Sequence, residues 1–89
     1  MNADADIIGS IPKSGTQEVR VSLNEYRGHE LCDVRVFAIF HGQGSEMRPT
    51  NKGIALRVDQ LPILAALINR AVDRARDRGL IPLEVEGAE

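Results

Sequence analysis

Few side chains in this 89-residue chain are equipped for chemistry. His29 and Cys32 form an H-x-x-C pair and His41 follows, but a metal site asks for three or four ligands at motif spacing, and no second pair exists. Ser22 and Ser45 offer hydroxyls. Nothing in the spacing sets either beside a base, and no G-x-S-x-G elbow is present, which argues against nucleophilic catalysis. The segment GQGSE has the glycines of a phosphate cradle without the G-K-[ST] that completes one, so it reads as a hairpin loop. The remaining cluster is aromatic and basic. The one tyrosine and both phenylalanines, Tyr26, Phe37 and Phe40, fall within fifteen residues, each near an arginine or a histidine. Rings among cations equip a surface to stack on bases and hold phosphates, and they serve equally in a core.

The elements that position these residues follow from periodicity. Across residues 18–24, Val19, Val21 and Leu23 alternate with Arg20, Ser22 and Asn24, the pattern of a strand with one dry face. A turn at Tyr26–His29 uses Gly28 for a positive φ. Residues 31–40 predict a longer strand, with Cys32, Val34, Val36 and Ala38 on one side and Leu31, Asp33, Arg35 and Phe37 on the other. Gly42 and Gly44 suit a hairpin loop, and a third strand runs from Met47 to Val58, with Pro49 confining its start to an edge or bulge. From Asp59 the period changes. Leu61, Leu64, Ala65, Ile68, Ala71, Val72 and Ala75 share one helix face, with Asp59 as cap, Pro62 in the first turn and Gly79 as the stop. On that helix Arg70, Arg74 and Arg78, with Asp73 and Asp77, read as a solvated face laced by i to i+3 pairs. Ile7–Ile11 predicts a short strand bounded by Pro12 and the turn-like KSGT. The chain thus divides into an N-terminal arm over residues 1–16, a domain over 17–79 and an acidic tail over 80–89.

At 43% hydrophobic and 27% charged the chain reads as one globular domain. A domain this small buries a modest fraction of its surface. Its helix stripe, carried by Leu61, Leu64, Ile68 and Val72 over a length of about 30 Å, exceeds what three strands can cover and predicts a homodimer. No apolar run approaches the roughly eighteen residues of a membrane span, and the N-terminus is acidic where a signal peptide would be basic. The expectation is a soluble cytoplasmic protein with no membrane partner. The lone Cys32 excludes an internal disulfide and fits a reducing compartment. The net charge of −2 hides an uneven distribution. With residues 1–17 and 79–89 set aside, ten bases face eight acids and the middle carries +2.

The stretches EVRVSLNEYRGHELCDVRVF and EMRPTNKGIAL, with an amphipathic helix after them, resemble the positive cofactor four family, the single-stranded-DNA-binding transcriptional coactivators, in their short bacterial form. The likeness covers about residues 17 to 78 and rests on the S-L-N-E-Y-R-G corner, the D-V-R strand and the M-R-P-x-x-K-G-I segment. It implies an α+β fold, a curved antiparallel β-sheet followed by one long C-terminal α-helix. It also implies a dimer whose sheets form two grooves for single strands of opposite polarity, associated with the nucleoid if the source is bacterial.

The resemblance assigns the family's corner aromatic to Tyr26, its neighbouring base to Arg27, the next basic position to His29 and the strand arginine to Arg35. The second stacking aromatic aligns with Ala38, a departure for which Phe40, two residues on and so on the same strand face, is the expected substitute. Phe37 faces the other way. The basic-proline pair falls on Arg48 and Pro49 and the K-G pair on Lys52 and Gly53, while Asn51 stands at one of the family's basic positions. Physics points the same way, since single-strand binders combine a basic groove with aromatic platforms. Which phenylalanine stacks and which is core stays open at this level. The implied function is a homodimeric, non-enzymatic, cofactor-free binder of single-stranded DNA, or of RNA, acting in transcription, replication or repair, with the transcription machinery as a further partner. The alternative is a protein-interaction module that docks through its helix and acidic tails.

Overall fold

The computed structural model describes residues 6–40, 42 and 44–82. His41, Asp4 and the tail glutamates Glu84, Glu86 and Glu89 lie outside the described residues. The chain divides into two compact units, Met1–Asp59 and Gln60–Glu89.

The first unit is an open antiparallel sheet of four strands in the order of the chain, β1 (Asp6–Ser14), β2 (Gln17–Tyr26), β3 (His29–Ile39) and β4 (Met47–Arg57). Its register starts from the turn between β2 and β3, where Arg27 and Gly28 take positive φ of 53° and 82°. Two such residues in succession close a two-residue hairpin whose twist matches its strands. Tyr26 therefore faces His29, and the ladder runs without a slip through Leu23–Cys32 and Arg20–Arg35 to Gln17–Ala38.

Opposed residues share a face, so each row across the sheet has one character. Val19 with Val36, Val21 with Val34 and Ile54, and Leu23 with Cys32 and Leu56 form the apolar side. Cys32 and Ala38, both on that side, are the buried apolar residues among those described, at 2% and 7% exposure. Burial raises the pKa of the Cys32 thiol, and the neighbouring Asp33 charge adds to the effect. The H-x-x-C pair cannot converge on a metal, because His29 lies in the row of Tyr26 while Cys32 lies on the opposite face.

The expected short strand at Ile7–Ile11 is longer in the structure. β1 runs through Pro12 to Ser14 and pairs with β2 over its length, with register shifts between Ile7 and Gly9 and between Pro12 and Ser14. An edge strand tolerates proline because one row of its N–H groups is unpaired in any case. The same reason places Pro49 on β4, the other edge.

The second unit holds the helix. After a 3-10 turn at Val58–Gln60, α1 spans Leu61–Asp77 with Pro62 in its first turn. Asp59 is not its cap. The chain winds into the 3-10 turn before α1 begins, so the cap position falls on Gln60, which makes no capping hydrogen bond, and the Asp59 carboxylate pairs with Arg57 at 3.3 Å. The far end closes as expected: Gly79 takes φ +72°, its N–H reaches the Arg76 carbonyl at 2.9 Å, and the Leu80 N–H reaches the Ala75 carbonyl at 2.8 Å. Leu61, Leu64 and Val72 are half-buried, whereas Ile68 is 53% exposed. Among the described residues, no helix is long and apolar enough to cross a membrane.

Candidate nucleic-acid interface

The polar side of the sheet collects most of the residues singled out in the sequence. Its rows are Tyr26 with His29, Asn24 with Leu31 and Arg57, Ser22 with Asp33 and Ala55, Arg20 with Arg35 and Gly53, and Glu18 with Phe37 and Pro49. Tyr26 ends this face at 57% exposure, with the Arg27 guanidinium 5.1 Å from its ring centre. At the other end the Arg20 guanidinium lies 4.2 Å over the Phe37 ring and pairs with Glu18. A cation stacked on a half-buried ring is itself a flat platform, since bases stack on guanidinium planes as they do on aromatic rings.

Arg35 is tied into the sheet. Its Nη2 donates to Asp33 Oδ1 at 2.9 Å and its Nε to Oδ2 at 3.0 Å, while Nη1 donates to the Thr50 carbonyl at 3.0 Å. The hydrogen bonds that Arg35 donates to Asp33 raise the guanidinium pKa further, against a smaller opposing effect of desolvation, so the group stays charged. A guanidinium carries five N–H donors, so Arg35 can hold the sheet and still present others outward.

Beyond Arg35, β4 makes an irregular excursion. Thr50, Asn51 and Lys52 stand opposite Val36 alone, between the pairs Arg35–Gly53 and Phe37–Pro49. The Thr50 hydroxyl donates to the Val36 carbonyl at 2.8 Å and accepts from the Lys52 N–H at 3.1 Å, while Arg35 holds the Thr50 carbonyl. This bulge carries Lys52 out as an exposed cation. Gly53 closes it at φ +156°, where an added Cβ would press into the Val34 carbonyl oxygen and come within 2.8 Å of the Arg35 Cα. The close approach that glycine permits here is to β3.

Two sequence-derived residues stand apart from the polar face. Arg48 pairs with Ala38 and so belongs to the opposite side of β4 from Pro49. Phe40 cannot be assigned a face by strand alternation, because β3 ends at Ile39 and Phe40 follows it at 42% exposure. Arg20, Phe37 and Thr50 are the contributors that the sequence reading passed over or set elsewhere. For the first two the signal was available: a two-residue turn at Arg27–Gly28 counts Arg20 onto Arg35 and Glu18 onto Phe37. Thr50 carried no such signal. Arg20, Arg35 and Arg57 are each ion-paired, whereas no ion pair of Arg48 or Lys52 is seen among the described residues.

Residues 13–67, more than half of the chain, match the family model of Transcriptional Coactivator p15 (PC4). The chain belongs to this family. The match takes in β2, β3 and β4 and the first part of α1, so both ends of the polar face lie inside it. A PC4 homologue from Burkholderia pseudomallei, in its orthorhombic crystal form, is 28% identical with a TM-score of 0.70, over 81% of this chain and 95% of that one. MoSub1 in complex with DNA is 25% identical with a TM-score of 0.58, over 80% of this chain and 84% of that one. The bacteriophage T5 homologue of the PC4 coactivator shares the fold at 18% identity, with a TM-score of 0.59 over 88% of this chain and 84% of that one. No curated protein matches the chain significantly.

Proposed function

We propose that this PC4-family chain is a homodimeric, non-enzymatic protein that binds single-stranded DNA across the polar face of its sheet, in transcription or in DNA replication and repair. The observation that carries this reading is the face itself. An exposed tyrosine flanked by arginine stands at one end, a guanidinium stacked on phenylalanine at the other, and a bulge beside them holds out a lysine. The two ends are eight residues apart along β2, about 26 Å at strand rise, room for several stacked nucleotides. MoSub1, a relative of this chain, binds DNA, which supports the same ligand here.

Titration with an oligothymidine and with a duplex of equal length tests the reading, single strand being expected to bind more tightly. The affinity should fall linearly with the logarithm of salt concentration, as phosphate neutralisation requires. Lys52→Ala should weaken binding and lower that slope by about 0.7, with thermal stability unchanged because exposed bases contribute little to the fold, whereas Arg48→Ala, on the other side of β4, should change the affinity less. If Lys52→Ala keeps the full affinity and slope, the phosphate track runs elsewhere.

The dimer has its own support. Among the described residues Ile7, Ile8, Ile11 and Ile54 in the first unit, and Leu67 and Ile68 in the second, are each about half exposed or more, apolar area that a small domain leaves uncovered. Sedimentation of the native protein should give twice the mass of the 9.8 kDa chain, and Ile68→Asp should dissociate or unfold it. A native monomer persisting at tens of micromolar, on the order of concentrations far above a tight-dimer constant, would refute the dimer.

A further inference from the structure

On the reading of the polar face as a single-strand site, we infer that Thr50 is its positioning residue, whose hydroxyl holds the bulge that presents Lys52 to phosphate. Three residues of β4 stand against one of β3 here, so ladder bonds alone cannot fix the path of Thr50, Asn51 and Lys52. A half-buried threonine supplies what the ladder lacks. A hydroxyl has one proton to give and lone pairs to receive, and this one donates to the Val36 carbonyl at 2.8 Å while accepting from the Lys52 N–H at 3.1 Å. One oxygen thereby ties β3 to the far side of the bulge. The Thr50 carbonyl is held as well, by Arg35 Nη1 at 3.0 Å.

Lys52 is the residue this arrangement serves. Its backbone is pinned on the near side by the Thr50 hydroxyl and on the far side by Gly53, where β4 returns to close contact with Val34 and Arg35. Its side chain is exposed, and no ion pair of it is seen among the described residues. A cation on a fixed base has less freedom to lose on meeting a phosphate than one on a loose segment. Removing the Thr50 hydroxyl therefore loosens Lys52 without touching its charge.

Titration with an oligothymidine at several salt concentrations should compare the native chain with Thr50→Val, Thr50→Ser, Lys52→Ala and Thr50→Val/Lys52→Ala. Valine keeps the branched shape and loses the hydroxyl, whereas serine keeps the hydroxyl. Thr50→Val should weaken binding and lower the salt slope by up to about 0.7, the share of one phosphate contact, and Thr50→Ser should keep the native slope. In the double variant Thr50→Val should add nothing to the loss from Lys52→Ala, because it acts through that lysine. A threonine serving the fold alone would lower the melting temperature and leave the folded protein with its native slope, which would overturn the inference. Losses that add in the double variant would do the same, as would Thr50→Ser binding as weakly as Thr50→Val. If Lys52→Ala binds as the native chain does, Thr50 has no phosphate-binding cation to position, and its assigned role fails while single-strand binding stands. A native chain that does not bind the oligothymidine would remove both the site and the role. Amide exchange in the native chain needs no variant to fold: the Lys52 N–H, held by Thr50, should exchange more slowly than in an unstructured peptide, and exchange at the unstructured rate would overturn the inference.

Discussion

Gly53→Ala is expected to destabilise the protein by about 2–4 kcal/mol, the combined scale of a strained backbone and an overpacked contact. For a domain of this size that corresponds to a fall in melting temperature of about 10 °C or more. The cause is steric. At Gly53 φ is +156°, and a Cβ would meet the Val34 carbonyl oxygen and the Arg35 Cα, which are backbone atoms of a central strand and cannot rotate away as a side-chain tip would. The damage should spread from there, because Gly53 is the partner of Arg35, whose guanidinium holds both Asp33 and the Thr50 carbonyl. Gly28→Asn is the control. Gly28 has φ +82° with open space around its Cβ direction, and asparagine tolerates that conformation. A melting curve for Gly53→Ala that overlays the native one would show that β3 and β4 are not packed so closely in solution.

Tyr26→Ala should cost about 1–3 kcal/mol of single-strand affinity, roughly fivefold to more than a hundredfold, the usual contribution of one stacked base. Stability should barely change, since the ring is 57% exposed. Phe37→Ala should lower both quantities, because that half-buried ring supports the Arg20 guanidinium as well as the sheet. Phe40→Ala should weaken binding less than Phe37→Ala does, as Phe40 lies past the end of β3. Tyr26 is the one tyrosine and there is no tryptophan, so its fluorescence reports on this residue alone and should be quenched during the titration. Full affinity in Tyr26→Ala, or a loss confined to Phe40→Ala, would move the stacking platform off the polar face.

Much of this arrangement is legible before any coordinates. Alternation of period two separates Val19, Val21 and Leu23 from Arg20, Ser22 and Asn24, and the Arg27–Gly28 turn then pins every β2–β3 pair, since a two-residue hairpin leaves no freedom of register. The long amphipathic stretch and Gly79 define α1 and its end because helix periodicity and a left-handed stop are local properties.

Tertiary structure decided what non-local contacts govern. The bulge at Thr50–Lys52 is invisible in the pattern, because two extra residues keep the in-and-out parity of β4 while shifting its pairing with β3. Gly53 announces a tight place without saying what fills it, and only the packed strands show that it is β3. The end of β3 at Ile39, which frees Phe40 from the face of Ala38, depends on where pairing with β4 stops. Arg35 reads in sequence as a ligand contact and is also the clamp of its own sheet, because its partner Thr50 lies fifteen residues away and is brought near only by folding.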